Sequence, residues 1–166
     1  MNPIKILALK NFPIIEPYDD LASIIDKSIY LNNIKIDDSD VFIVAQKIIS
    51  KSENRYVDLD TIEVSEEAES LALKLNKNKG LIQAIINESK KIISTEKNIL
   101  IVEHKLGFIN INAGIDQSNI SQDKNTALLL PENPTKSAID LHQKLSSRLN
   151  KDISIIISDS MTRPFR

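Results

Sequence analysis

The chain has 166 residues, 42% of them hydrophobic and 27% charged, and its 21 basic and 23 acidic side chains leave a net charge of −2. This is a globular composition, not a disordered one, and the length suits one domain or two small ones sharing a core. The absence of cysteine, of any run of about 18 apolar residues and of a basic or aromatic surplus excludes a disulfide or Cys-ligated metal framework, a membrane-spanning helix and a dedicated nucleic-acid surface, and makes a cytoplasmic protein the expectation.

In chain order, Ile4 to Leu9 reads as a first strand, and its early lysines argue against a signal peptide. The segment Asn11 to Pro17 carries two prolines and reads as a turn. Asp19 and Asp20 then offer an N-cap to an amphipathic helix in which Leu21, Ile24, Ile25 and Ser28 share a face. Val41 to Ala45 is a continuous apolar run, the pattern of a buried strand. It breaks into Gln46-Lys47-Ile48-Ile49-Ser50-Lys51, where polar groups interrupt the apolar pattern and chemistry is first to be sought.

Ser65 is placed to cap a helix with Ala68, Leu71, Ala72 and Leu75 on one stripe, and a second helix runs from near Gly80 to Glu88 through Leu81, Ile82, Ile85 and Ile86. Short strand patterns follow at Lys91–Ser94, Asn98–Glu103 and Gly107–Ile111, then a polar turn from Asn112 to Asn119. A brief apolar run, Ala127 to Leu130, meets Pro131 and Pro134. Helical spacing returns at Ala138, Leu141, Leu145 and Leu149, and Ile153–Ile157 reads as a last buried strand running into a polar loop. Consecutive short strands among helices predict an α+β fold, a mixed sheet with flanking helices. No repeat or flexible linker marks a boundary, so residues 1–166 read as one domain.

Glycine is scarce. Three residues, Gly80, Gly107 and Gly114, spell neither of the common phosphate-cradling loops, so a nucleotide site here must use metal ions, lysine or a helix N-terminus. Asp116 and Asp159 each follow an apolar run. Carboxylates at strand ends supply the oxygen ligands that Mg²⁺ or Mn²⁺ prefers, and an aspartate there also serves as a turn former or helix cap. Lys51 is either a phosphate contact or a solvated surface lysine. Arg163 and Arg166 flank Pro164 and could meet an anion. His104 and His142 have no partner at metal-ligand spacing, and Ser158 and Ser160 lack a nucleophile elbow or nearby histidine.

Together these positions form an ordered set. The strings Gln46-Lys47-Ile48-Ile49-Ser50-Lys51, Glu88-Ser89-Lys90-Lys91-Ile92-Ile93, Asn112-Ala113-Gly114-Ile115-Asp116-x-Ser118-Asn119, Leu128-Leu129-Leu130-Pro131-x-x-Pro134 and Ser158-Asp159-Ser160-x-x-Arg163-Pro164-x-Arg166 resemble the coenzyme F420-0:L-glutamate ligase family in order and spacing. The opening Leu9-x-x-Phe12-Pro13-Ile14-Ile15 and the Asp19-Asp20-Leu21 helix start agree with it too.

The resemblance implies a gamma-glutamyl ligase-like fold and a cytoplasmic enzyme, a homodimer, that adds L-glutamate to coenzyme F420-0 as an amide and then through a γ-linkage. It implies GTP as co-substrate, Mg²⁺ or Mn²⁺ as cofactor, and an acyl-phosphate intermediate. Carried over by position, Asp116 and Asp159 match the family's metal-binding aspartates and Ser160 a metal-binding threonine. Phe12, Pro13, Ile14, Ile15, Gln46, Lys47, Lys51 and Asn119 match positions lining the GTP site, with Lys51 on phosphate. Lys51, Asp116 and Asp159 are thus the expected catalytic set. Thr162 stands where the family has glycine. The family also continues past Arg166 into a segment with a further glutamine metal ligand, so the resemblance implies a chain truncated at its C-terminus. Two other readings accompany this one: a short homologue that binds GTP or metal without turnover, and a ligase of the same fold acting on another carboxylate.

Overall fold

The computed structural model describes residues 4–96, 98–118 and 125–159. Asn119, Ser160, Thr162, Arg163 and Arg166 lie outside the described residues. In chain order the elements are α1 (Leu21–Leu31), β1 (Val41–Ala45), α2 (Gln46–Ser52), β2 (Tyr56–Asp58), α3 (Glu66–Leu75), α4 (Lys79–Asn87), β3 (Ser89–Ser94), β4 (Ile101–His104), β5 (Ile109–Ile111), a short turn at Asn112–Gly114, β6 (Thr126–Leu128), α5 (Pro134–Leu149) and β7 (Ser154–Ser158). This mixture of helices and small sheets is the expected α+β class. Among the described residues no helix is long and apolar enough to cross a membrane.

The chain divides into two compact units, Met1–Asn54 with Pro134–Ser158, and Arg55–Asn133 with Asp159–Arg166. In the first, β1 and β7 form a parallel pair, Val41 opposite Ser154 through Ala45 opposite Ser158. Ile15, Leu21, Ile25, Ile29, Ile49, Leu141, Leu145 and Ile153 make its core. Alternate residues of a strand face opposite ways, so Val44 points to that core while Val41, Ile43 and Ile156 point away.

The second unit is antiparallel throughout its described ladders. β3, β4 and β5 form a three-stranded sheet, β2 pairs with β6, and Asp116 bridges Leu128. α3 begins as its sequence predicts: Ser65 Oγ accepts the Ala68 N–H at 3.2 Å, acidic residues crowd the first turn, and the helix ends on left-handed Asn76. Asn78 caps α4 in the same way at the Leu81 N–H, 3.0 Å away. Gly80 is needed for close approach, because a methyl carbon there would stand 2.0 Å from the Leu59 carbonyl oxygen. Leu75, Ile82, Ile85, Leu100 and Val102 fill the core.

Four expectations are corrected. Ile4–Leu9 is not a strand: alternation favours extended backbone, but a strand exists only through a ladder, and none pairs it among the described residues. Ile4 and Ile6 are 92% and 89% exposed. Asp20 occupies the N-cap of α1 without capping it, because its carboxylate pairs with Arg148 at 2.8 Å, while Asp19 accepts the Glu16 N–H. The β1 and β7 runs, both expected to be buried, are covered on one face only, with Ile43 70% and Ile156 50% exposed. Finally, α5 starts at Pro134, about a turn before Ala138, the first position with helical spacing, since proline's fixed φ and missing N–H are both tolerated in a first helical turn.

Candidate active site

The polar break after β1 folds as a helix. Ala45 is the last strand residue and also the N-cap of α2, with extended dihedrals (φ −62°, ψ 132°), so strand and helix join without a loop. Ala45 lies opposite Ser158, so β1 and β7 end level; from there the chain runs on into Gln46 after one strand and Asp159 after the other. Carboxyl ends of adjacent parallel strands are where α/β proteins commonly place ligands.

Helical spacing sorts the residues of α2. Lys47 and Lys51 are four apart and share a face, as do Gln46 and Ser50, whose side chains are hydrogen-bonded at 2.5 Å. Ile49 turns into the core and anchors the helix. Two lysines one turn apart repel by a few tenths of a kcal/mol, a cost that an anion lying against both would reverse. Lys51 also sits in the last turn, where its charge complements the helix dipole, so part of its role is structural. Of the segment expected beside these lysines, Ile15 is buried in the core and Phe12 is packed against it, whereas Pro13 and Ile14 are exposed. Ile15 can therefore offer a ligand only its backbone.

Asp116 belongs to the second unit and is held from three directions. Before it, Asn112, Ala113 and Gly114 adopt left-handed dihedrals in succession (φ 50°, 54° and 68°), an uncommon state for the first two. Ala113 is fully buried there, and the Asn112 N–H donates to the Leu100 carbonyl at 2.8 Å. At Asp116 itself the backbone exchanges both hydrogen bonds with Leu128, at 3.0 and 2.8 Å. Beyond it, the Ser118 N–H and Oγ donate to Asp116 Oδ1, at 2.7 and 2.6 Å. Asp116 is thus a turn former, one of the two roles the sequence allows, and its carboxylate orientation is fixed by the same contacts.

Asp159, just past β7, is exposed. Among the described residues no three His, Cys, Asp or Glu side chains are grouped so that they could hold a metal ion. Asp116 and Asp159 carry oxygen donors of the type that Mg²⁺ or Mn²⁺ takes one or two at a time, with water and substrate phosphates completing the shell. Two cavities, of about 210 Å³ in the first unit and 360 Å³ in the second, contain none of the expected residues. The smaller is lined by Asp19, Asp20, Glu53 and Asp140 against one cation, Lys144, a net negative lining that disfavours a phosphate.

A polar cluster in the second unit, with His104 buried and Arg55 and Glu88 half-buried, escapes sequence reading. Arg55 donates to the Leu130 carbonyl at 2.9 Å and to Glu88 Oε2 at 3.2 Å, and His104 Nε2 stands 3.8 Å from the same carboxylate oxygen. These residues are tens of positions apart, so no local spacing announces them. Burial of the His104 ring holds its pKa below the usual value, with Glu88 opposing the shift and Lys105 and Arg55 adding to it.

The family described as F420-0:gamma-glutamyl ligase matches residues 10–166. The chain belongs to this family. Coenzyme F420:L-glutamate ligase of Methanocaldococcus jannaschii is 40% identical over 131 residues, which is 79% of this chain and 51% of that protein. The proteins of the same name from Methanothermobacter thermautotrophicus and Archaeoglobus fulgidus are 32% and 31% identical over 163 residues, 98% of this chain and 64% and 62% of theirs. The chain therefore spans about half to just under two thirds of the length of these curated relatives. Membership of the family gives the motif strings a common origin, and the structure distributes them: the Gln46–Lys51 string lies in the first unit and the Asn112–Ser118 string in the second.

Proposed function

We propose that this chain carries the nucleotide- and metal-binding part of a ligase that adds L-glutamate to coenzyme F420-0. The observation that carries the proposal is the pair Lys47 and Lys51 on one face of α2, at the end of a parallel strand pair, in a chain of this family. The nucleotide is GTP, and its phosphates lie against the two lysines. Asp116 and Asp159, with Ser160 carried over from the resemblance, hold Mg²⁺ or Mn²⁺, and Asn119, carried over in the same way, lines the GTP site. The bound ion would supply charge neutralisation for the phosphates.

The reaction proposed is phosphoryl transfer followed by acyl transfer. A carboxylate oxygen of F420-0 takes the γ-phosphoryl group, GDP leaves, and the mixed anhydride is attacked by the glutamate amine. The new amide bond forms as inorganic phosphate departs and the amine loses a proton. Nothing here needs a nucleophile from the protein, consistent with a chain without cysteine. Its residues have to position three anionic reactants, and two lysines on one helix face are suited to the phosphates among them. The enzyme acts as a homodimer in the cytoplasm.

The test is incubation with F420-0, GTP, Mn²⁺ and L-glutamate, read by mass spectrometry for a product heavier by one glutamate residue. Alongside it, calorimetry of GTP with Mn²⁺ compares wild type with Lys51→Met and Asp116→Asn. Product formation with weaker binding in both variants supports the reading. Unchanged GTP affinity in both variants would remove it. GTP binding without product favours a second reading, a binding module that does not turn over.

A further inference from the structure

Among the described residues His104 is the most deeply placed titratable group that the proposed reaction does not use. It closes β4, is 2% exposed, and lies over Phe108 with ring centroids 5.0 Å apart and planes 2° from parallel. Its backbone fastens the turn that follows: the His104 N–H donates to the Phe108 carbonyl and the Gly107 N–H donates to the His104 carbonyl, both at 2.8 Å. The ring adds one more fastening. The Leu106 N–H donates to His104 Nδ1 at 2.9 Å.

That last bond fixes the tautomer. An Nδ1 that accepts from an amide carries no proton, so the neutral ring bears its hydrogen on Nε2. Nε2 is buried and has no hydrogen-bond partner; its nearest carboxylate oxygen, Glu88 Oε2, is 3.8 Å away, beyond hydrogen-bonding distance. Protonation has two consequences at once. A proton on Nδ1 faces the Leu106 N–H, donor against donor, and the bond is lost. The new positive charge draws Glu88 towards Nε2, although that oxygen already serves Arg55 at 3.2 Å.

Arg55 in turn holds the segment that pins Asp116. Its Nε donates to the Leu130 carbonyl and its own carbonyl accepts the Leu129 N–H, each at 2.9 Å, directly beyond the Asp116–Leu128 bridge. The Lys105 N–H donates to the Glu88 carbonyl at 2.9 Å, tying the turn to the end of α4.

We propose that His104 is an acid-responsive latch: neutral, it clasps the Lys105–Gly107 turn through Leu106; protonated, it releases that turn and competes with Arg55 for Glu88. The charged groups around it are Glu88 from the end of α4, Arg55 from the segment before β2, and Lys105 from the turn. Lys90 and Lys91 of β3 pair with Glu103 on β4. The folded chain holds His104 neutral more firmly than the unfolded chain does. As pH falls below 6.5 the unfolded state therefore takes up the proton first, so this contribution to stability is complete above 6.5 and declines below it. The latch stands apart from the ligase reading, because it is read without GTP, metal or substrate.

The experiment is a pH titration of the chain by ¹⁵N NMR, with His142→Gln to assign the two imidazoles. The expected result is an Nε2–H tautomer for His104 at pH 8, a midpoint below 6.5, and a Leu106 amide that shifts with the same midpoint and loses its exchange protection. In Glu88→Gln the midpoint should move to lower pH, since an opposing negative charge is gone. An Nδ1–H tautomer, a Leu106 amide indifferent to the titration, or unfolding before His104 titrates would each overturn the latch. If Glu88→Gln does not fold, the wild-type tautomer and the Leu106 response decide alone.

Discussion

The two units of this chain are built on opposite plans. In the Arg55–Asn133 unit, β3, β4 and β5 follow one another in sequence and pair with their neighbours, and the helices beside them end in side-chain or left-handed caps. In the other unit the described ladder joins β1 to β7, strands more than a hundred residues apart, and one face of that pair stays apolar and uncovered. Local pairing lets each turn and cap stabilise its own neighbourhood. A distant parallel pair depends on helices that pack across it, because loop closure has been offset before any ladder bond forms.

The sharpest way to break this contrast is to weaken the helix that supports the distant pair. Leu145→Ala, at a fully buried position of α5, should cost about 4 kcal/mol. Hydrogen exchange followed by mass spectrometry should then show protection lost in β1 and β7 ahead of β3 and β4. Equal loss in both regions would count against the distinction. Gly80→Ala probes the other plan, forcing a methyl group against the Leu59 carbonyl. It should cost about 3 kcal/mol in urea denaturation, with the loss of protection centred on α4.

Gly114→Ala sharpens the comparison at the turn before Asp116. Its φ of 68° and a methyl carbon 3.0 Å from the Leu130 side chain predict a loss of about 2 kcal/mol by the same denaturation. The smallest effect should come from Asp20→Ala, which removes an exposed ion pair with Arg148 and no capping bond. A change above about 1 kcal/mol in thermal melts would mean that the pair does more than its exposure suggests.

These outcomes bear on what could be read from the sequence. The four long helices were legible, because apolar spacing at Leu21 and Ile25, Ala68 and Ala72, Ile82 and Ile85, and Leu141 and Leu145 is set by local geometry. So were β1, β7 and the region of the three-stranded sheet. Tyr56–Asp58 was not, since three residues carry too little pattern to declare a strand, and its partner lies at Thr126–Leu128. Ile4–Leu9 failed for the complementary reason: it has the pattern without a described ladder partner. At the candidate site, residue identity was legible through the ordered strings, whereas the shared face of Lys47 and Lys51 required knowing that the break after β1 is helical. Ser118, quoted within a string but given no role, proved to orient Asp116. Arg55, Glu88 and His104 meet only through tertiary folding, which no periodicity records.

Ala113 also bears on how freely this stretch of chain can vary. Its left-handed backbone favours glycine, while its fully enclosed methyl group leaves room for nothing larger. Position 113 therefore admits an alphabet of two. In a library of all twenty residues there, alanine and glycine should be nearly alone among the folded clones, so that a residue bearing no functional group is restricted by backbone and enclosure alone.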